Sequence, residues 1–540
     1  TSMRSMLATL LISLGSASLA NATTLPAFDK VFDDVKADQP GCAAGVMREG
    51  QVIWSAGYGI ANLQTGAPIN TDTLFNLASV SKQFTGFAVL QLQAQGRLNL
   101  DDPVRRFIPE LPAYAQAIKI RHLLHHTSGL QDYMLLAELA GITYTERFTQ
   151  QQALQMLFKQ DAAMFPAGAE FSYSNSGYLL LSSIVERAAA MPLKNFSQAH
   201  IFKPLGMSRS SIVDHYPLHL PNLAESYELD PKSRTYGFVD VRWEQTGDGQ
   251  VHSTVVDLMR WMRNLSTGQV GGKALVKKMR ETEPLLDGDP GYYGMGIATR
   301  RYRGLSEVSH SGSWAGYSTD VAWYPKLDVA TVVLCNRADA EAAERGHQLL
   351  DVVLGSPRPP RDQDIPPPPP SIEGVPPAPL DTLVAGTYLD GSGHQFQLER
   401  TGNDFNLNTF PDSMPLSRLN EHLMAAGNDG TPLYLAATQG SRIVSNNPAS
   451  TYVLGTPWKP RDLQRYVGVY RLQTSSGQLK VFTRQGKLYI RIGELTYPMR
   501  PLAAGRFSAS DLGVIRFEQG GQVLTSSMAR NLRFVRENSQ

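Results

Sequence analysis

The sequence predicts an α+β domain followed by two small, mutually similar antiparallel β-domains. Three observations carry this. Between about residues 25 and 355, strand-like segments stand at both ends with helical patterns between them. A proline-rich stretch at 356–379 then breaks the pattern. Beyond it, short alternating segments run in two copies.

The chain has 540 residues, too many for one ordinary core, so several domains are expected. Its apolar content of 42% is that of a globular protein. A net charge of +1 gives no field to collect polyanions, which excludes nucleic acid as an expected partner. Met3 and Arg4 precede a short apolar run that ends in small residues at Ala20 and Ala22. That layout predicts a secretory signal peptide over 1–22, and the run is too short to span a bilayer. A periplasmic or secreted protein without a membrane span follows. Cys42 and Cys335 are the two cysteines, which leaves room for at most one bridge and none for a cysteine-rich metal scaffold.

Within 23–355, "AAGVMREGQVIWSAGYGIAN" reads as a hairpin turning at Glu49-Gly50. A helix is expected from Ser79 to about Gln95, stopped by Gly96, and a second from about Ser176 through "GYLLLSSIVERAAA". "SEVSHSG", "YSTDVAWYP" and "VATVVLCN" read as three consecutive strands rich in β-branched and aromatic residues. Five successive prolines at 366–370 cannot join a helix or a central strand, so 356–379 is expected to be a stiff linker. After it, Gly386-Thr387-Tyr388 matches Gly468-Val469-Tyr470. Gly393, Gly402 and Phe405 match Gly477, Gly486 and Tyr489 once two residues are inserted. The two copies, 380–458 and 459–540, are each long enough for a small closed sheet.

Chemistry concentrates in three places. "FNLASVSKQFTG" puts Ser79 three residues before Lys82, so on a helix the ammonium lies over the hydroxyl and can activate it. The opening of that helix offers N–H groups for a developing oxyanion. In "FSYSNSGY", an extended segment would turn the Tyr173 phenol and the Asn175 amide to the same side. A phenol beside a lysine ammonium is stabilised as phenolate and suits a general base. His310-Ser311-Gly312 closes a strand and is followed by Ser313, whose N–H is a second candidate oxyanion donor. Gly312 there would let a substrate backbone lie against the strand edge.

These elements, in this order, resemble the serine hydrolases related to class C β-lactamases, penicillin-binding carboxypeptidases and D-aminopeptidases. The likeness covers roughly residues 30–355 and extends to "IRHLLHHTSGL", "IFKPLGM", "GDGQVHSTVVDLMRW" and "YGMGI". It implies Ser79 as nucleophile, Lys82 and Tyr173 sharing the base role, and Asn175 contacting the substrate amide or Lys82. Gly312 and Ser313 would bind substrate, and His310 takes the place where β-lactamases carry a lysine. No metal or cofactor is implied. His122, His125 and His126 have metal-like spacing but no acidic or cysteine partner, so packing and loop bracing are expected of them.

A histidine with an unperturbed pKa near 6.5 is mostly neutral at pH 7, which disfavours recognition of a free substrate carboxylate. His-x-Gly is instead similar to the D-aminopeptidase and esterase branches. The D-aminopeptidase branch also implies two antiparallel β-barrels after the catalytic domain, one of which can send a loop toward the active site. The expected activity is an acyl-enzyme serine hydrolase acting on a small-molecule or peptide substrate, including ones that contain D-amino acids. An esterase or class C β-lactamase is the alternative. A penicillin-binding-type receptor, acylated with little turnover, is the alternative of another class. In the related fold the two cysteines fall at neighbouring strand ends, where either a bridge or two buried thiols would fit.

Overall fold

The computed structural model describes residues 26–537, apart from 287–290, 292, 357–367, 369, 391–394, 410–411, 427–432, 447–448, 456–459 and 510–511. The expected leader, Gly393 of the repeat and half of the proline-rich segment lie outside the described residues.

The N-terminal domain is built on a six-stranded antiparallel sheet. Its strands are β1 (Cys42–Arg48), β2 (Gln51–Tyr58), β3 (Ala298–Tyr302), β4 (Leu305–Trp314), β5 (Tyr317–Tyr324) and β6 (Val329–Cys335), in the spatial order β3-β4-β5-β6-β1-β2. The first hairpin turns through Glu49 (φ 50°) and Gly50 (φ 73°), a pair of left-handed residues that matches the twist of the flanking strands. Every residue of β6 is buried, because both faces of the sheet are covered. Cys42, Ala44 and Val46 pack on one side with Val333, Leu349 and Leu350, whereas Ala43 and Met47 join Val255, Leu258 and Leu334 on the other. The antiparallel register sets Cys42 directly opposite Cys335, and the two are disulfide-bonded across 293 residues of sequence.

The helices that matter to the site are α1 (Lys82–Ala94), α2 (Tyr133–Leu139), α3 (Asn175–Ala189), α4 (Val255–Thr267) and α5 (Ala342–Leu354). The Thr254 hydroxyl caps α4 by accepting from the Asp257 N–H at 3.1 Å, and Met259, Trp261 and Met262 are buried as core residues. The helix expected from Ser79 begins differently. Residues Ala78–Ser81 form a tight 3₁₀ turn, and the α-helix proper starts at Lys82. Ala78 lies in the left-handed region at φ 50° and is held there by a 2.8 Å bond from its N–H to Asn76 Oδ1. Backbone of this kind stores strain that the surroundings must hold in place.

Two closed eight-stranded barrels follow, the first running from Gly386–Leu389 to Ala449–Leu454 and the second from Gly468–Leu472 to Ala529–Arg536. Their repeat shows in detail: Tyr388 and Tyr470 are both fully buried, and each donates its hydroxyl to the carbonyl four residues earlier, Val384 at 2.9 Å and Tyr466 at 2.8 Å. The expected linker shortens at its C-terminal side. Pro370–Glu373 form a helical turn, and Ile372 packs against Leu423 and Tyr434 of the first barrel, because an apolar side chain next to a barrel wall is buried rather than left in water.

The second barrel shares a continuous apolar core with the N-terminal domain. Arg530 makes a two-pronged ion pair with Glu170 at 3.1 and 2.9 Å, and its carbonyl accepts from Gln131 Nε2 at 2.5 Å. Asn531 Nδ2 donates to the Ala163 carbonyl at 2.7 Å. This barrel therefore abuts the loops that carry the site from behind.

Candidate active site

Ser79 is held against the sheet by the absence of a side chain at Gly312. A Cβ added there would come within 2.5 Å of both the Leu77 carbonyl and Thr319 Oγ1, and within 2.9 Å of the Ser79 nitrogen. Glycine is thus required by the close approach of the Ser79 turn to β4, a need that the sequence reading, which gave Gly312 to the passage of a substrate backbone, did not name. The Thr319 hydroxyl bonds the Leu77 carbonyl at 2.8 Å and the Leu77 N–H bonds the Val251 carbonyl at 2.8 Å, so the turn is pinned on two sides.

Lys82 is fully buried, and its Nζ has three acceptors: Ser79 Oγ at 3.1 Å, Asn175 Oδ1 at 2.9 Å and the Asp248 carbonyl at 3.0 Å. Three donors of an ammonium meet three acceptors, which is how a buried cation is made tolerable. Asn175 therefore contacts Lys82, and its Nδ2 points to Met134 Sδ at 3.0 Å. Tyr173 approaches differently from expectation: Lys82 Nζ lies over the face of its ring, 4.8 Å from the centroid. The segment 173–176 changes from extended to helical at Asn175, the first residue of α3, so the two side chains converge from a helix start rather than along a strand.

That convergence is imposed by the loop before α2. His126 Nδ1 accepts the Ser174 N–H at 3.0 Å, and Asp132 Oδ2 accepts the Asn175 N–H at 2.7 Å. Ser176 Oγ donates to the Gln131 carbonyl at 2.7 Å and accepts the Tyr133 N–H at 2.8 Å. His126 is in the left-handed region at φ 58°, with its ring 4.2 Å from that of Tyr173. Burial, with Lys82 adding to it, holds its imidazole well below the usual histidine range. His125 bonds the Tyr293 carbonyl at 2.9 Å and His122 accepts the Lys119 N–H at 3.0 Å. All three histidines brace loops.

His310 is buried, with Nδ1 2.6 Å from the Ser311 carbonyl and Nε2 2.7 Å from the Tyr293 hydroxyl. A carbonyl can only accept, so the Nδ1–H tautomer is assigned and Nε2 accepts from Tyr293. Burial and then the Lys82 charge push its pKa down to about 3, which makes it neutral throughout the working range. Ser311 and Ser313 are exposed on β4. Strand β3 pairs with β4 only as far as Ser309, so residues 310–314 present a free edge.

Two cavities meet at Ser79. The larger, of about 850 Å³, is lined by Tyr173, Tyr293, Arg300, His310, Ser311 and Ser318 among others. The smaller, of about 70 Å³, is lined by Tyr133, Met134, Trp243, Asp248 and Trp314 among others. Ser79, Asn175 and Ser313 border both. Among the described residues, those lining the two cavities all belong to the N-terminal domain. The second barrel braces Glu170 and Gln131, and none of its described residues lines the cleft.

Sequence reasoning did not single out Asp132, Tyr133, Asp248, Tyr293 or Arg300. Asp248 and Tyr293 fall inside motif stretches it quoted. Arg300 changes an expectation, since it brings a cation into a cleft that His310 leaves without one.

Residues 28–354 match the Beta-lactamase family. The chain belongs to that family. It is 32% identical over 303 residues to a penicillin-binding protein of Bacillus subtilis (strain 168), covering 54% of this chain and 66% of that one. It is 27% identical over 318 residues to a D-aminopeptidase of Gluconobacter oxydans (strain 621H), covering 59% of each. The chain thus matches about three fifths of the length of these relatives. Among solved structures, the fold is similar to an octameric penicillin-binding protein homologue from Pyrococcus abyssi, with a TM-score of 0.55 and 20% identity over 81% of this chain and 100% of that one. It is also similar to the D-amino acid amidase from Ochrobactrum anthropi SV3, with a TM-score of 0.52 and 22% identity over 62% of this chain and 99% of that one.

Proposed function

We propose that this chain is an exported serine hydrolase that cleaves an amide or ester bond through an acyl-enzyme, with D-aminopeptidase-like substrates first among them. The observation that carries it is Lys82 Nζ, fully buried and 3.1 Å from the Oγ of a half-exposed Ser79 that opens onto both cavities.

Ser79 Oγ forms a bond to the substrate carbonyl carbon, and its proton passes to the Tyr173 oxygen, whose deprotonated form the Lys82 ammonium over the ring favours; that is how the two residues share the base role. The N–H groups of Ser79 and Ser313 take the oxyanion. The carbon–nitrogen or carbon–oxygen bond then breaks as the proton returns to the leaving group, and water repeats the sequence on the ester. A serine ester with a general base close by is the ordinary route for such bonds. Neutral His310 holds the Tyr293 hydroxyl at the cleft and supplies no charge to a substrate carboxylate. That supports amine-bearing or uncharged substrates, as does the family tie to relatives named D-aminopeptidase.

Arg300 favours a second reading, in which a substrate bearing a carboxylate lies in the larger cleft, as a carboxypeptidase or a penicillin-binding receptor would require. The same acyl chemistry extends to simple esters and to β-lactams. Export rests on Arg4, the apolar run and the small residues at Ala20 and Ala22.

The test is one substrate screen with Ser79→Ala as control: D-aminoacyl amides, short nitrophenyl esters, a chromogenic cephalosporin and a D-alanyl-D-alanine peptide. Turnover of the amides, lost in Ser79→Ala, supports the proposal. Turnover of the peptide alone would favour the Arg300 reading, and stable acylation without turnover the receptor. N-terminal sequencing of the exported product checks cleavage after Ala22.

A further inference from the structure

A further cavity lies at the seam between the N-terminal domain and the second barrel. Its volume is about 430 Å³, and it shares no lining residue with the two cavities at Ser79. One wall is apolar and comes from the loop before Tyr173, through Met164, Phe165 and Pro166. The other comes from three neighbouring strands of the barrel, Val514–Glu518, Val523–Ser526 and Ala529–Arg536. Both walls are fixed. The loop hangs on the N-terminal domain by the Met164 N–H, which donates to the Gly129 carbonyl at 2.7 Å, and by the Gly168 N–H, which donates to the Thr127 carbonyl at 2.8 Å. Asn531 Nδ2 and the Arg530–Glu170 pair tie the barrel to the same loop. Space of this size, held open between two folded units, is where small ligands are commonly received.

The charges of this cavity do not balance. Three arginines line it, and two carboxylates answer them. Glu170 takes Arg530 with both oxygens, at 3.1 and 2.9 Å, and Glu518 takes Arg533 at 3.4 Å. Arg516 is left over: half-buried, its side chain makes no hydrogen bond or ion pair among the described residues. Its cross-strand neighbour is Arg506, a second cation. Burial, and after it the charge of Arg516, lower the Arg506 pKa, while Asp390 of the first barrel pulls the other way. Like charges set opposite each other on a sheet are unfavourable, so an anion is wanted at Arg516, and no described residue supplies it. Hydroxyls stand ready beside it. Thr525 is the cross-strand partner of Arg516 on its other side, and Ser527 Oγ accepts the Val514 N–H at 2.9 Å, which leaves its own hydrogen to donate.

We propose that this cavity binds an organic carboxylate with an apolar body, the carboxylate on Arg516 with the Thr525 and Ser527 hydroxyls, and the body against Met164, Phe165 and Pro166. A guanidinium fork matches a carboxylate in shape as well as in charge. The apolar wall adds burial that a bare inorganic anion cannot use, so an organic acid is the better ligand. The inference goes beyond the chemistry at Ser79 and does not depend on which bond that serine attacks.

The experiment is calorimetric titration of the full-length protein with hydrocinnamate, with hydrocinnamamide as its uncharged counterpart and with inorganic phosphate as an anion without an apolar body. Hydrocinnamate is expected to bind with a Kd of about 1 mM or tighter, and the amide and phosphate at least about tenfold more weakly. Arg516→Gln is expected to weaken hydrocinnamate binding at least about tenfold, the scale of a lost charge-assisted contact. Arg300→Gln, which removes the cation of the larger cleft at Ser79, is expected to leave it unchanged. The comparison of acid with amide is made on the wild-type protein and keeps the test intact should a variant misfold. Equal binding of acid and amide, or no binding of hydrocinnamate up to about 10 mM, overturns the assignment. So does binding lost in Arg300→Gln and kept in Arg516→Gln, which would place the acid at Ser79. Phosphate binding as tightly as hydrocinnamate would overturn the organic-acid reading, because the apolar wall would then contribute nothing.

Discussion

A methyl group added at Gly312 would test whether the sheet holds Ser79 in place. Its Cβ would start 2.5 Å from the Leu77 carbonyl oxygen, 2.5 Å from Thr319 Oγ1 and 2.9 Å from the Ser79 nitrogen. Ordinary contact begins near 3.4 Å, and contacts under 3.0 Å are essentially never seen, so the Ser79 turn must retreat by about 0.5–0.9 Å. Leu77 is bonded to Thr319 and to Val251, and Ala78 is already strained at φ 50°, so no slack exists on that side. Overpacking of this kind costs about 1–3 kcal/mol of stability. Displacement of a reacting group by about 1 Å costs on the order of 100-fold in rate. Gly312→Ala is therefore expected to lower kcat/KM by about 10- to 100-fold, with most of the loss in kcat, and to lower the melting temperature by a few degrees. Steady-state kinetics on the best substrate of the screen and calorimetry of the same preparation read both. Full activity at an unchanged melting temperature would refute the claim that β4 positions Ser79.

Three further outcomes are expected. Replacing Lys82 by Met removes the charge facing Ser79 Oγ, Asn175 and the Asp248 carbonyl, and should cost on the order of 1,000-fold or more in kcat/KM while circular dichroism stays native. Exchanging Cys42 and Cys335 together for Ala releases a loop of 293 residues and should lower unfolding free energy by about 2–5 kcal/mol in denaturant titrations; titration of two free thiols in the unreduced denatured protein would contradict the bridge. Trypsin should cut at Arg361-Asp362 in the proline-rich segment, yet the two pieces should co-elute under native conditions, because the second barrel is tied to the catalytic domain through Arg530, Asn531 and a shared core. Separation of a folded two-barrel fragment would show that this interface is weak.

Much of this protein was legible in the chain itself wherever the signal is local. The apolar stretch "AAGVM" and the unbroken run "VATVVLC" name strands, and the Gly50 turn names a hairpin, since strand propensity and turn conformation depend on neighbouring residues alone. Ser79 and Lys82 share a site for the same reason: three residues apart on a helical turn, they meet whatever the rest of the chain does. The Tyr-to-Tyr correspondence of 388 and 470 reveals the two barrels because a repeat encodes its own fold twice. Other features were decided only by the path of the chain through space. Asp248 faces Tyr133 from 115 residues away, and His310 is neutralised by burial beside Lys82, 228 positions earlier in the chain. Arg300 reaches the cleft because β3 pairs with β4, and the second barrel braces Glu170 because a surface patch, which has no sequence period, finds its complement. Burial, charge and cavity shape are sums over groups brought together by the tertiary fold, so no local pattern announces them; composition and spacing can name the chemistry a chain carries, but the packed structure sets its partners and its charge.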